Sequence, residues 1–164
     1  MAQVNDCVIV IFGASGDLTK RKLLPALYAL FRQGLLPDNF AILGTSRSPF
    51  TDDAYRQKTV EDISTYGGLK DADKGKLGDF AKHVYYQAMD ATDLNHYADL
   101  KKKLASIDSE AKTGGDYIFY LSTSPSLYSS IAGNLGDSGL SKQGDGGTPW
   151  RRIIVEKPFG RDLE

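Results

Sequence analysis

The residues of this chain with the clearest chemical use lie near its N-terminus, in "VIVIFGASGDLTKRK", Val8 to Lys22. Five apolar residues run straight into Gly13 and Gly16, and Asp17 and the basic group Lys20, Arg21 and Lys22 follow. A glycine turn between a strand and a helix lets backbone come close to a phosphate, and the first amides of the helix then point at the negative charge. Against that use, glycines end strands in many settings, and a lone Gly-x-x-Gly is weak evidence unless it follows the first buried strand of an alternating α/β chain. The common Gly-x-Gly-x-x-Gly spacing is not kept, since Ser15 stands at the middle glycine and Leu18 at the third. A serine can still approach a phosphate and offer its hydroxyl, whereas loss of the third glycine implies a different approach of the helix. A Walker A loop is excluded because no Gly-Lys-Ser/Thr follows at the required offset. Of the three basic residues at most one is expected to serve a phosphate, and a solvated helix face accounts for the rest.

The second informative stretch is "AILGTSRSPF", Ala41 to Phe50. At the end of the second strand of a dinucleotide-binding fold, an Asp or Glu accepts from the ribose hydroxyls of NAD, while an Arg accommodates the 2'-phosphate of NADP. No carboxylate follows Leu43 until Asp52, and Arg47 stands just past the apolar run. Its guanidinium can grip a phosphate through two hydrogen bonds, with Thr45 and Ser46 able to donate hydroxyls beside it. NADP is therefore expected over NAD; without the glycine turn upstream, an exposed loop arginine would explain Arg47 as well. The single cysteine, Cys7, and the two histidines, His83 and His96, have no metal-ligand spacing and no catalytic setting. Both histidines read as surface or packing residues.

Short β-branched or aromatic runs alternating with longer helix-compatible stretches must position these residues. Strands are expected at Val8–Phe12, Phe40–Thr45, Val84–Ala88, Tyr117–Leu121 and Arg152–Val155, and helices at Leu18–Gln33, Thr51–Tyr66, Leu94–Ala105 and Leu127–Leu135. "VIVIF", "YIFYL" and "RIIV" are nearly continuous apolar runs, as in parallel strands covered by helices on both faces. The fold class is thus α/β, a Rossmann-like doubly wound, mainly parallel sheet with helices on both faces. Pro25 lacks an amide proton, so the first helix should open with a short turn and restart or kink near Leu24. Thr51 ahead of two acidic residues, and Asp93 ahead of Leu94, mark helix starts. Residues 66–79 and 136–150, rich in Gly, Lys and Asp, read as loops, the second long enough to be mobile or an insertion.

At 164 residues the chain is long enough to bury one core, and its 41% hydrophobic and 25% charged residues are an ordinary globular composition. A net charge of -1 carries no basic excess, so neither nucleic acid nor an anionic membrane surface is an expected partner. A lone cysteine forms no internal disulfide, "MAQVNDC" has no secretory character, and no apolar run approaches the ~18 residues of a membrane span. A cytoplasmic protein is the simplest reading.

Taken together, "GASGDLTKRKLLPALYALFRQGLLP", "GTSRS", "IFYLSTSPSLY" and above all "RIIVEKPFGRDLE" resemble the glucose-6-phosphate dehydrogenase family, in the same order from Val8 to Glu164. The resemblance implies that residues 1–164 are that family's NADP-binding coenzyme domain. Gly13, Ala14, Ser15, Gly16, Asp17, Leu18, Thr19 and Lys20 match its diphosphate-binding turn, whose pattern is Gly-x-x-Gly-Asp-Leu. Arg47 falls on its arginine for the 2'-phosphate, Met89 and Asp90 on the region lining the adenine, and Tyr120 on a tyrosine near the nicotinamide half. "STSP" departs from the family's common Ala-Leu-Pro-Pro, which bears on contacts around Thr123 and Ser124. Lys157 in "EKP" matches the lysine between coenzyme and sugar phosphate that helps hold both, so it is an expected residue for cofactor and substrate alike. A flexible ammonium at the carboxyl end of a strand suits that use. Pro158 matches the proline at the hinge between domains, a position that suits a cis peptide.

The resemblance further implies oxidation of glucose 6-phosphate to 6-phosphoglucono-lactone with hydride transfer to NADP, the first step of the pentose phosphate pathway, a His oriented by a carboxylate being the base. The motif of that His, Arg-Ile-Asp-His-Tyr-Leu-Gly-Lys-Glu, does not occur in this sequence, so no catalytic residue is assigned. The chain is expected to be the coenzyme part of a longer enzyme whose substrate domain lies beyond it, to bind NADP weakly and to turn over no sugar alone. The whole enzyme is expected to be a homo-oligomer through that domain. A stand-alone NADP-binding sensor or regulatory module is the alternative, but would have no use for "EKPFGRDL". An extended short-chain reductase or epimerase also begins "GASG" but wants a third glycine where Thr19 stands, and no catalytic Tyr-x-x-x-Lys pair is expected here.

Overall fold

β-Branched and aromatic residues build the centre of the molecule, which is seen here in a computed structural model describing residues 5–157. CVIVIF forms β1 (Cys7–Phe12), paired in parallel with β2 (Phe40–Ser46) on one side and β4 (Tyr117–Leu121) on the other. β3 (Val84–Ala88) and β5 (Arg151–Val155) complete a five-stranded parallel sheet in the order β3-β2-β1-β4-β5. Because side chains alternate across a strand, the sheet feeds two separate cores. Val8, Val10, Phe12, Leu43 and Phe119 pack toward α4 (Tyr97–Ala111) and α5 (Tyr128–Asp137). Ile11, Phe40, Ile42, Val84 and Tyr86 pack toward α1 (Leu24–Arg32), α2 (Asp52–Tyr66) and α3 (Leu77–Ala81). Placing the first three helices on one face and the last two on the other is the doubly wound arrangement, and it makes the chain reverse direction between β1 and β4.

Pro25 shapes the entry to α1 as expected. A π turn over Thr19–Leu23 precedes the helix, with the Leu24 N–H donating to the Thr19 carbonyl. The helix then restarts with the proline in its first turn, where a missing amide proton costs no internal bond. Thr51 caps α2 by accepting from the Ala54 N–H at 3.1 Å. α4 runs six residues past the expected Ala105, because Ile107 is buried and keeps the helix on the core.

Two expectations are corrected. Residues 66–79 are not simply a loop: Leu77, Phe80 and Ala81 are buried, and their spacing forms α3 beneath α1 and α2 despite the glycines around it. The expected cover on both faces also fails at β5, where Ile153, Ile154 and Val155 are exposed. As an edge strand it has one neighbour, and among the described residues no helix lies over it. Pro158 lies outside the described residues. Among the described residues, no helix is long and apolar enough to cross a membrane.

The opposite edge is closed. β3 turns one row of its ladder groups away from β2, and α2 takes them: the Tyr86 N–H donates to Asp52 Oδ1 at 2.7 Å, and Arg56 Nε donates to the Val84 carbonyl at 2.7 Å. Lys103 Nζ, from α4, reaches both Asp52 oxygens at 3.0 and 2.8 Å. Side-chain cover of this kind blunts an edge that would otherwise pair with another strand. Asp52→Ala strips acceptors from both the Tyr86 amide and the Lys103 ammonium. It is expected to lower stability by about 1–3 kcal/mol, seen as an earlier urea midpoint at unchanged slope. An unaltered midpoint would show that Asp52 does not close the edge.

Candidate functional site

The carboxyl ends of the first four strands open into a cleft of about 840 Å3, within the usual range for small-molecule sites. Its walls are the turn after β1, the end of β2 with the residues that follow, and the loops after β3 and β4. The reversal between β1 and β4 creates the opening, because their onward connections leave in opposite directions.

The glycine turn is held by four anchors. Gly13 has φ of +87°, and a Cβ there would lie 2.1 Å from the Ser122 carbonyl oxygen, so only glycine lets β1 end this close to β4. The N–H groups of Gly13 and Ala14 both donate to the Thr45 carbonyl at 3.0 Å. The Ala14 carbonyl accepts from the buried Tyr55 phenol at 2.8 Å. Gly44 makes room for that bond, since a Cβ would lie 2.8 Å from Ala14 Cβ and 2.9 Å from Tyr55 Cε1. The Gly13 carbonyl accepts from the Gly16 N–H and from Thr19 Oγ1, each at 3.0 Å, and Thr19 Oγ1 is also 3.1 Å from Ser122 Oγ. Two carbonyls that would repel an anion are thereby tied back. Ser15 and Gly16 line the cleft, followed by the helix start, whose first N–H groups have no intrahelical acceptor.

The facing wall carries opposite charges. Arg47 lines the cleft from the loop after β2, and Met89 and Asp90 line it after β3. Asp90 Oδ1 accepts from the Thr92 hydroxyl at 2.7 Å and the Thr92 N–H at 2.9 Å. These two bonds, with a smaller contribution from the Arg47 charge, hold the Asp90 carboxyl below the usual carboxylate range. The Asp90 N–H donates to His96 Nδ1 at 2.8 Å, and the Ala91 carbonyl accepts from Tyr97 and from Asn134 at 2.7 and 3.1 Å. The loop is thus fastened to α4 and α5.

Of the residues expected from the sequence, Gly13, Ser15, Gly16, Arg47, Met89 and Asp90 come together in this cleft. Ala14 and Thr19 are buried behind it as supports. Asp17 and Leu18 are exposed, and the Asp17 carboxyl is held low first by the Arg21 hydrogen bond. Lys20 Nζ lies 3.6 Å from Asp17, and both Lys20 and Arg21 sit over the ring of Tyr66 at the end of α2, so two of the three basic side chains are engaged within the protein. Tyr120 lies outside the cleft lining: its phenol donates to the Glu156 carboxylate, while Tyr128 donates to the Glu156 carbonyl at 3.2 Å. Lys157 is exposed just past β5.

Thr123 and Ser124, where the sequence departs from the family pattern, line the cleft, and so do Ser48, Thr92 and Ser122, which had not been singled out for it. Their signal was positional, since every loop at the carboxyl end of a strand beside the reversal faces the same opening. His83 stacks on Phe40 at 4.1 Å, as a packing residue should. The Tyr-x-x-x-Lys spacing, not expected in this chain, occurs twice, at Tyr66–Lys70 and Tyr97–Lys101, and neither pair is in the cleft. The Tyr97 phenol donates to the Ala91 carbonyl and the Lys101 ammonium to the Ser138 carbonyl, so both groups serve structural contacts.

The sequence profile described as "Glucose-6-phosphate dehydrogenase, NAD binding domain" matches residues 10–164. The glucose-6-phosphate 1-dehydrogenase of Aggregatibacter actinomycetemcomitans is 44% identical over 163 residues, which is 99% of this chain and 32% of that protein. That of Treponema pallidum (strain Nichols) is 39% identical over 158 residues, 96% of this chain and 30% of the relative. A solved structure described as glucose-6-phosphate dehydrogenase in complex with its substrate glucose-6-phosphate superimposes with a TM-score of 0.79 at 34% identity, covering 99% of this chain and 33% of the other. The chain therefore spans about a third of the length of the relatives it matches, and it belongs to the glucose-6-phosphate dehydrogenase family, as a match to its NAD binding domain.

Proposed function

We propose that the cleft binds NADP for an enzyme that oxidises glucose 6-phosphate to its lactone, this chain supplying the coenzyme half of the site. The observation that carries the choice of NADP is Arg47, which lines the cleft at the end of β2 where NAD-binding folds place a carboxylate. Bound there, the nicotinamide would accept the hydride from the sugar. The chain's own residues bind and orient. Ser15 and the first amides of the following helix receive the diphosphate, Gly16 letting it come close to the backbone, with the Gly13 and Ala14 carbonyls turned back from it. Arg47 pairs with the 2'-phosphate, Ser48 offers a hydroxyl beside it, and Met89 and Asp90 form the adenine wall. The other end of the coenzyme runs toward Ser122, Thr123 and Ser124, and on to the end of β5, where Lys157 would meet both coenzyme and sugar phosphate. Asp17, Leu18, Lys20 and Tyr120 serve this reading as helix-start and second-wall residues rather than as lining. No residue assigned in the cleft is the base for the sugar hydroxyl, because His83 is engaged with Phe40 and His96 with the Asp90 amide.

Titration of the chain with NADP and NAD separates the two phosphate contacts. NADP is expected to bind more tightly, and Arg47→Ala to weaken it about 10- to 100-fold while NAD changes by less than about threefold, from the loss of charged hydrogen bonds. Equal affinities in the starting protein would sink the 2'-phosphate assignment. Gly13→Ala, which pushes the turn off Ser122, is expected to weaken both coenzymes alike, by at least about tenfold. A variant that loses only NADP would place the diphosphate elsewhere.

A further inference from the structure

Arg47 is flanked by two serines, and both are tied to one buried tyrosine on the neighbouring strand. The Tyr86 phenol lies 2.6 Å from Ser46 Oγ and 2.6 Å from the Ser48 carbonyl, and the Ser48 N–H lies 3.3 Å from Ser46 Oγ. The Ser48 N–H donates to Ser46 Oγ. The Ser48 carbonyl can only accept, so the phenol's one proton goes to it, and the Ser46 hydroxyl then donates to the phenol oxygen. Three donors and three acceptors close a ring through Ser46, Tyr86 and Ser48, so that the residues on either side of Arg47 are joined by one side chain. The Ser46 carbonyl, 3.1 Å from the phenol, takes the Met89 N–H at 2.9 Å instead.

The tyrosine at the base of the ring has little freedom. Its ring is clamped between Tyr55, with centroids 4.8 Å apart, and Phe50, edge-on at 5.4 Å. Its own amide is held by Asp52 at 2.7 Å. Burial pushes the phenol's pKa up, so it keeps the proton that the ring requires. Among the described residues, no hydrogen bond or ion pair engages the Arg47 guanidinium itself: the backbone on either side is fixed and the charged end is left to a ligand. The glycine turn has separate supports, the Tyr55 phenol on Ala14 and the Thr45 carbonyl on Gly13 and Ala14.

We propose that Tyr86 is a specificity-positioning residue: its phenol closes a hydrogen-bonded ring over Arg47 that aims the guanidinium at the 2'-phosphate and so sets the preference for NADP over NAD. This rests on the reading of Arg47 given above. A ligand without a 2'-phosphate makes no use of Arg47, so the ring acts on one coenzyme and not on the other.

The test is a coenzyme titration of the chain and its variants, read as the ratio of NADP to NAD affinity. Tyr86→Phe keeps the aromatic clamp and removes the ring; it is expected to weaken NADP about 5- to 10-fold and leave NAD within about twofold. Ser46→Ala opens the same ring from its other corner and is expected to give the same selective loss, with Ser46→Thr restoring the preference. Combined with Arg47→Ala, either variant is expected to cost nothing further for NADP, since it acts only through the guanidinium. Equal loss of both coenzymes, no loss, or additivity with Arg47→Ala overturns the proposal, and should Tyr86→Phe fail to fold, Ser46→Ala decides alone. A ratio that falls in Arg47→Ala but not in the ring variants removes the ring's role and leaves Arg47 standing. An unchanged ratio in Arg47→Ala removes the reading of Arg47, and the ring's role with it.

Discussion

The cleft depends on one close approach. The backbone of Gly13 passes the Ser122 carbonyl so tightly that a Cβ at position 13 would lie 2.1 Å from that oxygen, in a conformation an L side chain rarely adopts. This contact lets β1 end against β4 and sends the chain sideways, across the crevice that the reversal of strand order opens. A bulkier corner would lift the turn from β4 and separate the two walls on which the site is built. The Thr19 hydroxyl, within reach of both the Gly13 carbonyl and Ser122 Oγ, joins the same two elements from behind. The loop after β4 is therefore a structural partner of the glycine turn as well as a wall of the cleft.

A tight backbone turn must also dispose of its own carbonyls. In this turn the Gly13 oxygen is consumed by Gly16 and Thr19, and the Ala14 oxygen by Tyr55. Neither oxygen is left unpaired at the opening. The burial that pushes the Tyr55 phenol's pKa up guarantees its role as donor. Gly44 makes that bond possible, since a side chain there would collide with both partners. The neighbouring lysine and arginine are tied to Asp17, which explains why the basic cluster is a poor guide to the site.

Much of the fold was legible in the sequence because it is written in local terms. β-Branched runs bounded by glycine gave strands within a residue of those observed, and Pro25 marked the break that a chain lacking one amide proton must make. α3 was not legible, because glycine and lysine around a five-residue helix outweigh its three buried positions in any local pattern. The exposure of β5 was not legible either, since an apolar run reports a wish for cover and not whether a neighbour supplies it. In the site, the residues that meet the cleft through a motif, Gly13, Ser15, Gly16 and Arg47, could be picked out from spacing. Tyr55, Tyr86 and Thr92 could not, because their roles exist only once elements far apart in the chain are packed together.

Tyr86 shows how closely the site and the fold are joined on this side of the sheet. Its amide is taken by Asp52, which closes the edge of β3, and its phenol is taken by the loop that carries Arg47. Stability of the edge and geometry of the arginine loop thus share one residue, and a change that frays β3 must also loosen Arg47. β5 has no such arrangement: its apolar residues are exposed, and its carboxyl end is tied to the sheet through Glu156 by Tyr120 and Tyr128. The two ends of the cleft consequently differ in kind. The end at β2 and β3 is braced by side chains from two helices, whereas the end at β4 and β5, where Lys157 emerges, is held by two tyrosines on Glu156, one from β4 and one from α5. On physical grounds the braced end holds its side chains in fixed positions, and the other leaves more freedom to the residues that follow β5.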